Sequence, residues 1–131
     1  MTNTLKWKRP SAIARTLAVN EVLDRVLDLY PSFAAWTKGA TARDAAGRPV
    51  TPSDPSAVAW SLDGAIERVI GDYEDPSITK REATRRHKLE LRVFAQLGID
   101  PAQFNDITSF ENVRAFVAAK ALWCAPYAPQ R

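Results

Sequence analysis

The sequence is poor in the residues that hold metals and form disulfides. Its 131 residues include one cysteine and one histidine. A lone Cys124 cannot form an internal disulfide, and a lone His87 excludes any site built from two histidines. No Cys/His pair has the spacing of zinc ligands. We therefore expect neither a metal ion nor another cofactor.

Long apolar runs and strong charge are also missing. No stretch approaches the ~20 apolar residues of a membrane-spanning helix. The opening residues, MTNTLKWKRPS, carry basic charge without the apolar core of a signal peptide. We therefore expect a cytoplasmic protein with no membrane contact. The net charge of +3, from 18 Lys and Arg against 15 Asp and Glu, is too small to indicate a nucleic-acid partner by itself.

What remains is the composition of an ordinary globular domain, 46% hydrophobic and 25% charged. We expect a single domain over 1–131 with loose ends at 1–12 and 125–131. Its fold is predicted to be mainly α, a compact bundle of about four helices with one short β-hairpin at about 36–51. The helical spacing of apolar residues predicts helices at about 17–30, 55–70, 80–97 and 109–123, with a single short turn after Asp100-Pro101.

Residues that favour helix ends support these bounds. Asp54 before Pro55 is typical of an N-cap followed by proline at the first helical position. Thr79 with Glu82, and Thr108 with Glu111, have the spacing of capping boxes. Gly98 is expected to end the helix that Thr79 starts.

The hairpin prediction rests on alternation from Trp36 onward and on the turn signal Asp44-Ala45-Ala46-Gly47. Pro49 and Pro52 cannot donate to a ladder, so the return strand must be an edge strand. Trp60 is predicted on the second helix, opposite its main apolar stripe and beside Gly64. We expect the hairpin to cover this face and to bury Trp36 and Trp60. The alternative is that Trp60 and Gly64 form an exposed docking groove.

Three stretches, WTKGATARDAAGRPV, DPSAVAWSLDGAI and FND, follow one another in the chain. They resemble the motifs W-x-x-G-A, D-x-x-G-R, W-(C/S)-L-x-G-A and (W/F)-N-D of an uncharacterised family of short bacterial and phage-associated proteins. Ser61 stands where that family often has cysteine, and segment 72–100 is longer and more basic. The resemblance covers about residues 17–122, implies no activity, and rests on Trp36, Gly39, Asp44, Gly47, Trp60, Ser61, Gly64, Asn105 and Asp106.

The predicted helix at 80–97 carries a basic stripe, which consists of Arg81, Arg85, Lys88 and Arg92. At ~100° per residue these positions fall within about 60° of one another. One interpretation is a solvated face that Asp72, Glu74 and Asp75 neutralise. The other is a contact to phosphates or to an acidic protein surface.

Two further groups of charges accompany the stripe. Glu82, Arg86 and Glu90 have i, i+4, i+8 spacing and lean toward the apolar side of the same helix. They form either an exposed salt-bridge ladder or an end that packs on a second copy or a partner, so a homodimer is one alternative. Near the start of the chain, Lys6, Lys8 and Arg9 surround Trp7, either as a poorly ordered arm or as a nucleic-acid contact.

Candidate chemistry is sparse. Asp63 and Glu67 share a helix face, and with Asp44 or Asp106 they could bind a divalent cation or act as an acid and base. Asp63 and Glu67 are instead expected to lie on a solvated helix face. Ser61, Cys124 and His87 have no motif of a nucleophile and its base.

We therefore expect a non-enzymatic cytoplasmic accessory protein that binds another macromolecule, with a protein as the expected partner. The alternative is a nucleic-acid-binding domain that uses the basic helix face and the arm at 6–9. A third hypothesis is a small hydrolase or carboxylate-metal enzyme, which a pocket joining Asp44, Asp63, Glu67 and Asn105-Asp106 would favour. The predicted contact residues are Arg81, Arg85, Lys88, Arg92, Trp36 and Trp60.

Overall fold

The computed structural model describes the backbone of residues 11–127 and the side chains of residues 19–122. Within them the fold is mainly α with one short β-hairpin, as predicted. The helices are α1 (Ser11–Leu29), α2 (Leu62–Ile70), α3 (Lys80–Leu97), α4 (Pro101–Ile107) and α5 (Phe110–Tyr127). The strands are β1 (Ala42–Arg43), β2 (Pro49–Val50) and β3 (Ala59–Trp60), and a short 3-10 helix spans Phe33–Ala35.

One hydrophobic core lies where α1 packs against α2, α3 and α5. Each of these helices contributes the apolar face that its sequence spacing predicts. The fully buried members include Leu23, Val26, Ile66, Val93, Val113 and Val117. In α5 the buried apolar residues are Phe110, Val113, Val117 and Ala121.

The sheet has the order β2-β1-β3, with both pairs antiparallel. β2 is therefore an edge strand, which confirms the expectation from Pro49. The turn between β1 and β2 is closed by Asp44, whose Oδ1 accepts hydrogen bonds from the backbone N–H groups of Ala46 at 3.0 Å and Arg48 at 2.9 Å. Gly47 takes φ 83° there, a conformation that glycine adopts without strain.

The predicted start of the second helix is wrong. Asp54 closes a local turn instead, accepting hydrogen bonds from the backbone N–H and the hydroxyl of Ser56. Residues 59 and 60 form β3, in which Trp60 pairs with Ala42. Ser61 is the N-cap of α2, because its hydroxyl accepts from the Gly64 N–H at 3.2 Å.

The face beside Gly64 is nevertheless covered, as predicted. A Cβ at Gly64 would lie 1.9 Å from the carbonyl oxygen of Thr41, so only glycine fits against the chain that enters β1. Trp60 is 6% exposed and Trp36 is half-buried. Val58, between the buried residues Ala57 and Ala59, is 48% exposed.

Three helices are longer than predicted. α1 begins at Ser11 rather than at about 17, and α5 continues to Tyr127 rather than ending at about 123, so helix extends into both ends that were expected to be loose. Ala12, Ala14 and Ala18 favour helix at the first place, whereas Pro126 does not favour it at the second. Residues 6–9 of the predicted arm lie outside the described residues. α4 is a seven-residue helix rather than a single turn.

The caps of the remaining helices are largely as predicted. The Thr79 hydroxyl accepts from the Glu82 N–H at 3.0 Å, and Gly98 ends α3 at φ 73°. Asp100 caps α4 through the N–H groups of Ala102 and Gln103. At α5 the cap is Ser109 rather than Thr108, since the Ser109 hydroxyl accepts from the Asn112 N–H at 3.3 Å.

Candidate functional site

Asn105, which lies in the third of the motif stretches, is hydrogen-bonded to residues of the other two. Its side chain is fully buried. Oδ1 accepts hydrogen bonds from the Trp36 indole N–H at 2.6 Å and from the Leu62 backbone N–H at 3.1 Å. Nδ2 donates to the Thr37 carbonyl at 3.0 Å. The amide therefore fixes the 3-10 segment, the start of α2 and α4 to one another.

Trp60 belongs to the interior rather than to a contact surface. Its indole N–H donates to the Pro52 carbonyl at 3.0 Å, and the Arg68 guanidinium lies 5.4 Å from its ring centre. Its own carbonyl accepts from the Tyr30 hydroxyl at 2.9 Å. Burial raises the pKa of Tyr30, and the negative charge of Asp63 adds to the effect. We therefore leave Trp60 out of the candidate surface.

Trp36 supports an aromatic cluster that reaches the surface. Its ring lies 5.8 Å from that of Phe33 and 5.9 Å from that of Phe110. The Lys38 ammonium group lies 5.3 Å from the Trp36 ring centre. Phe33 is 65% exposed, so it is the member of this cluster that faces outward.

The basic stripe lies on the outer side of α3. Arg81, Lys88 and Arg92 are exposed, and they make no hydrogen bond or ion pair with the described part of the chain. Arg85 differs, because its Nε and Nη2 donate to the carboxylate of Glu82 at 3.0 and 2.8 Å. As far as the described residues are concerned, the stripe therefore presents three unpaired cations and one that is paired.

The acidic residues that were expected to neutralise the stripe lie elsewhere. The Asp72 carbonyl accepts from Nη1 of Arg86 at 3.0 Å, and the carboxylate of Asp75 binds Ser77. Among the described residues neither Asp72, Glu74 nor Asp75 forms an ion pair with the stripe. These three residues therefore do not pair with the stripe directly.

The predicted ladder on the same helix forms only in part. Glu82 binds Arg86 at 2.8 Å in addition to Arg85. Hydrogen bonds from Arg85 and then Arg86 lower the pKa of Glu82 to about 2. Glu90 does not join the ladder. Burial raises its pKa, and nearby Asp63 and Asp72 raise it further, although His87 acts in the opposite direction.

A groove lies directly beside the stripe, where α1, α2 and α3 meet. Its volume is about 180 Å³. Apolar side chains form much of its lining, and Glu21, Arg25 and Arg85 complete it. The apolar lining residues are Val22, Val69, Ile70 and Leu89. Arg85 thus belongs to both the groove and the stripe.

A second cleft of about 230 Å³ contains two of the candidate carboxylates, Asp63 and Asp106, together with Ser61. Asp44 lies on the hairpin turn, paired with Arg48, and Glu67 is not among the lining residues. Burial raises the pKa of Glu67, as do the surrounding carboxylates. Between residues 19 and 122 no three Asp, Glu, His or Cys side chains are arranged to hold a metal ion. The four predicted carboxylates thus do not share one pocket.

Within residues 19–122, the candidate nucleophile Ser61 is not assembled with a histidine base. The Ser61 hydroxyl donates to Asp63 at 2.7 Å and caps α2. The ring of His87 packs against Tyr73, with centres 4.4 Å apart. The side chain of Cys124, like Lys6, Trp7, Lys8 and Arg9, lies outside the described residues.

Comparison with known proteins adds no relative. No family model, no curated protein and no solved structure matches the chain. None of the helices in the described region is both long and apolar enough to cross a membrane.

Two features of this surface were missed from the sequence. The groove is formed by residues of three helices, and no local sequence pattern predicts how three helices pack together. Leu91, which is 52% exposed on α3, lies three residues after Lys88. The exposure of Leu91 could have been predicted from the sequence, because a residue three positions after a cation of the stripe lies next to it on the helix surface.

Proposed function

We propose that the protein is a non-enzymatic accessory protein that binds the acidic surface of another protein through the basic stripe. The observation that carries the proposal is the contrast between paired and unpaired cations on α3. Arg85 and Arg86 are held by Glu82. Arg81, Lys88 and Arg92 point outward without an ion pair in the described part of the molecule.

Such a stripe gains from an anionic partner. Like charges at i, i+4 cost about 0.2–0.5 kcal/mol per pair on a helix. The Glu82 carboxylate offsets this repulsion at the N-terminal end of α3 only. From Arg81 to Arg92 the stripe extends about 16 Å at the rise of an α-helix. A row of carboxylates of similar length on a partner would offset the remaining repulsion.

Leu91 favours a protein over a nucleic acid as this partner. It is 52% exposed beside Lys88. Burying an apolar side chain against another apolar side chain stabilises a complex by removing area from water, whereas a phosphate backbone offers no such contact. The net charge of +3 also gives little of the general attraction on which non-specific nucleic-acid binding depends.

Site-specific photo-crosslinking in the native host tests the proposal. A photoreactive residue at Thr84, between Arg81 and Lys88, should crosslink to one acidic protein, and the same residue at Ala46 on the hairpin should not. Arg92→Glu should reduce the crosslink at least tenfold. Arg48→Glu, the same change on the exposed hairpin, is the control and should leave it unchanged. Equal crosslinking in all four proteins would contradict the proposal.

A gel-shift measurement tests the alternative that the stripe binds nucleic acid. Random duplex DNA and single-stranded DNA at micromolar protein and low salt should give no gel shift. With three unpaired cations, a duplex complex would weaken by about 2.7 in log K for each tenfold rise in salt. A shift with that dependence, abolished by Arg92→Glu, would replace the protein partner with nucleic acid.

The same proposal includes a cytoplasmic location, where a lone cysteine stays reduced, and a relation to the bacterial and phage-associated family described above. Trp36 donates a hydrogen bond to Asn105, and the Gly64 N–H donates one to Ser61, so four of the motif residues bind one another in pairs, which supports that relation. Fractionation of the native host tests the cytoplasmic location.

Trp36 stays a predicted contact residue, because its ring packs against that of Phe33, which is exposed.

A further inference from the structure

The groove beside the stripe has the properties of a socket for one apolar side chain. Its apolar lining comes from three helices, with Val22 from α1, Val69 and Ile70 from α2, and Leu89 from α3. Val22 and Leu89 are buried core residues at 5% and 6% exposure. Their positions are fixed by the core, so the groove is preformed.

The size of the groove matches a single residue. Its volume is about 180 Å³. An apolar cavity of about 150 Å³ can bind a benzene molecule. The groove therefore takes a leucine, methionine or phenylalanine side chain, and it is too small for a drug-sized ligand, which needs roughly 300–1,000 Å³.

The charges at the groove favour an anionic neighbour on the α3 side. Arg85 lines the groove and also belongs to the stripe. Lys88 precedes the lining residue Leu89, and Arg92 lies one turn after Lys88. On the α1 side, Arg25 is bonded to Glu21 at 2.6 Å, so that rim is locally neutral. An occupant that extends from the groove along α3 passes Arg85, which Glu82 pairs, and then Lys88 and Arg92, which the described residues leave unpaired.

We propose that the partner is an acidic segment that inserts one apolar side chain into this groove and lays its carboxylates along Lys88, Arg92 and Arg81. This inference rests on the proposed function and specifies the chemical class of its partner. The apolar side chain supplies the anchor, and the carboxylates set the direction of the segment along α3. Buried apolar anchors commonly carry much of the energy of such interfaces, while exposed charges set orientation and association rate.

A random peptide library displayed on phage and selected on the immobilised full chain tests the inference. The enriched peptides should share one large apolar residue with two or more Asp or Glu within about one helical turn. A synthetic peptide of the enriched sequence is then titrated by fluorescence polarisation. Replacing its apolar residue with alanine should lower the affinity at least tenfold.

Two variants of the protein separate the groove from the stripe. Val69→Phe fills the groove and should lower the affinity at least tenfold. Val58→Phe, the same change at an exposed position of the hairpin region, should not alter it. Arg92→Glu should also weaken binding at least tenfold, and this loss should shrink as salt screens the charges.

A measurement on the unaltered protein avoids any dependence on how the variants fold. On addition of the peptide, the methyl NMR signals of Val22, Val69, Ile70 and Leu89 should shift, and those of Val50 and Val58 should not. If the groove methyls do not respond, the socket is not occupied and the inference is wrong.

The remaining outcomes distinguish the two proposals. If acidic peptides bind through Arg92 but tolerate loss of the apolar residue and Val69→Phe, the groove inference fails and the proposed function stands. If Arg92→Glu has no effect, both fail. If no peptide sequence is enriched, the inference is overturned. If Val69→Phe converts a dimer to a monomer in sedimentation, a second copy of the chain occupies the groove, and the inference is overturned as well.

Discussion

At the scale of single residues, Asn105 has a large expected effect on stability. It satisfies the buried N–H of Leu62 and, at half-buried positions, the indole N–H of Trp36 and the carbonyl of Thr37. Asn105→Ala leaves these groups unpaired, and each such group costs about 1–3 kcal/mol when water cannot reach it. We expect the free energy of unfolding to fall by about 2–4 kcal/mol in urea denaturation. Asn112→Ala, at an exposed position of α5, is the control and should change it by less than about 0.5 kcal/mol.

Gly64 provides a second test at this scale. Even the single methyl group of alanine would collide with the Thr41 carbonyl oxygen. Because a backbone atom cannot rotate away, Gly64→Ala should destabilise by about 3 kcal/mol through overpacking. Gly98→Ala is the comparison, since nothing lies within 4 Å of its Cβ and only its φ of 73° opposes the change. It should cost about 1 kcal/mol. Equal melting temperatures for the two variants would show that the chain before β1 can move off α2.

At the scale of elements, the sequence predicts which segments are helical better than where they begin. The apolar spacing of α3 and the caps at Thr79 and Gly98 are local signals, and the structure confirms them. The start of α2 is not local. Asp54-Pro55 is a sound N-cap signal, but residues 59 and 60 gain hydrogen bonds by pairing with β1, and Ser61 offers a second cap. Tertiary pairing therefore outweighs the local preference, and Trp60 becomes a strand residue.

The candidate surface likewise has features that the sequence predicts and features that it does not. The angular positions of Arg81, Lys88 and Arg92 follow from helical geometry alone, so the stripe is readable from the sequence. Which cation is paired is not readable, because Glu82 has two arginines at i+3 and i+4 and the structure gives it both. The groove needs the relative placement of three helices, which depends on core packing.

The half-buried carboxylate of Glu90 predicts a pH-dependent stability of α3. Burial, Asp63 and Asp72 raise its folded pKa above the unfolded value of 4.5. The folded state thus binds the proton more tightly, so Glu90 lowers stability as the pH rises above about 4.5. Glu90→Gln should raise the melting temperature at pH 7, and this advantage should disappear at pH 3.5. Glu111→Gln on α5 is the control. An advantage that is equal at both pH values would show that packing, and not charge, causes it.

At the scale of the whole molecule, the small net charge hides a division of charge across α3. One side of the helix carries Arg81, Lys88 and Arg92, and the other carries Glu90 near Glu67 and Asp72. A net charge of +3 is therefore a poor guide to what the surface binds. Because the two sides are separated by the helix itself, a partner on the stripe is attracted by cations at close range while the acidic side is farther away.

At the same scale, we expect the whole chain to bind no zinc. Between residues 19 and 122 no three carboxylate, histidine or cysteine side chains are arranged around a common point. Zinc sites generally use four ligands, or three and a water, and a bound metal would stabilise the folded state by mass action. The purified full chain should contain less than about 0.1 zinc per molecule in elemental analysis, and EDTA should leave its melting temperature unchanged. Stoichiometric zinc, together with a lower melting temperature in EDTA, would contradict this and would direct the search for ligands to Cys124 and the segments outside the described residues.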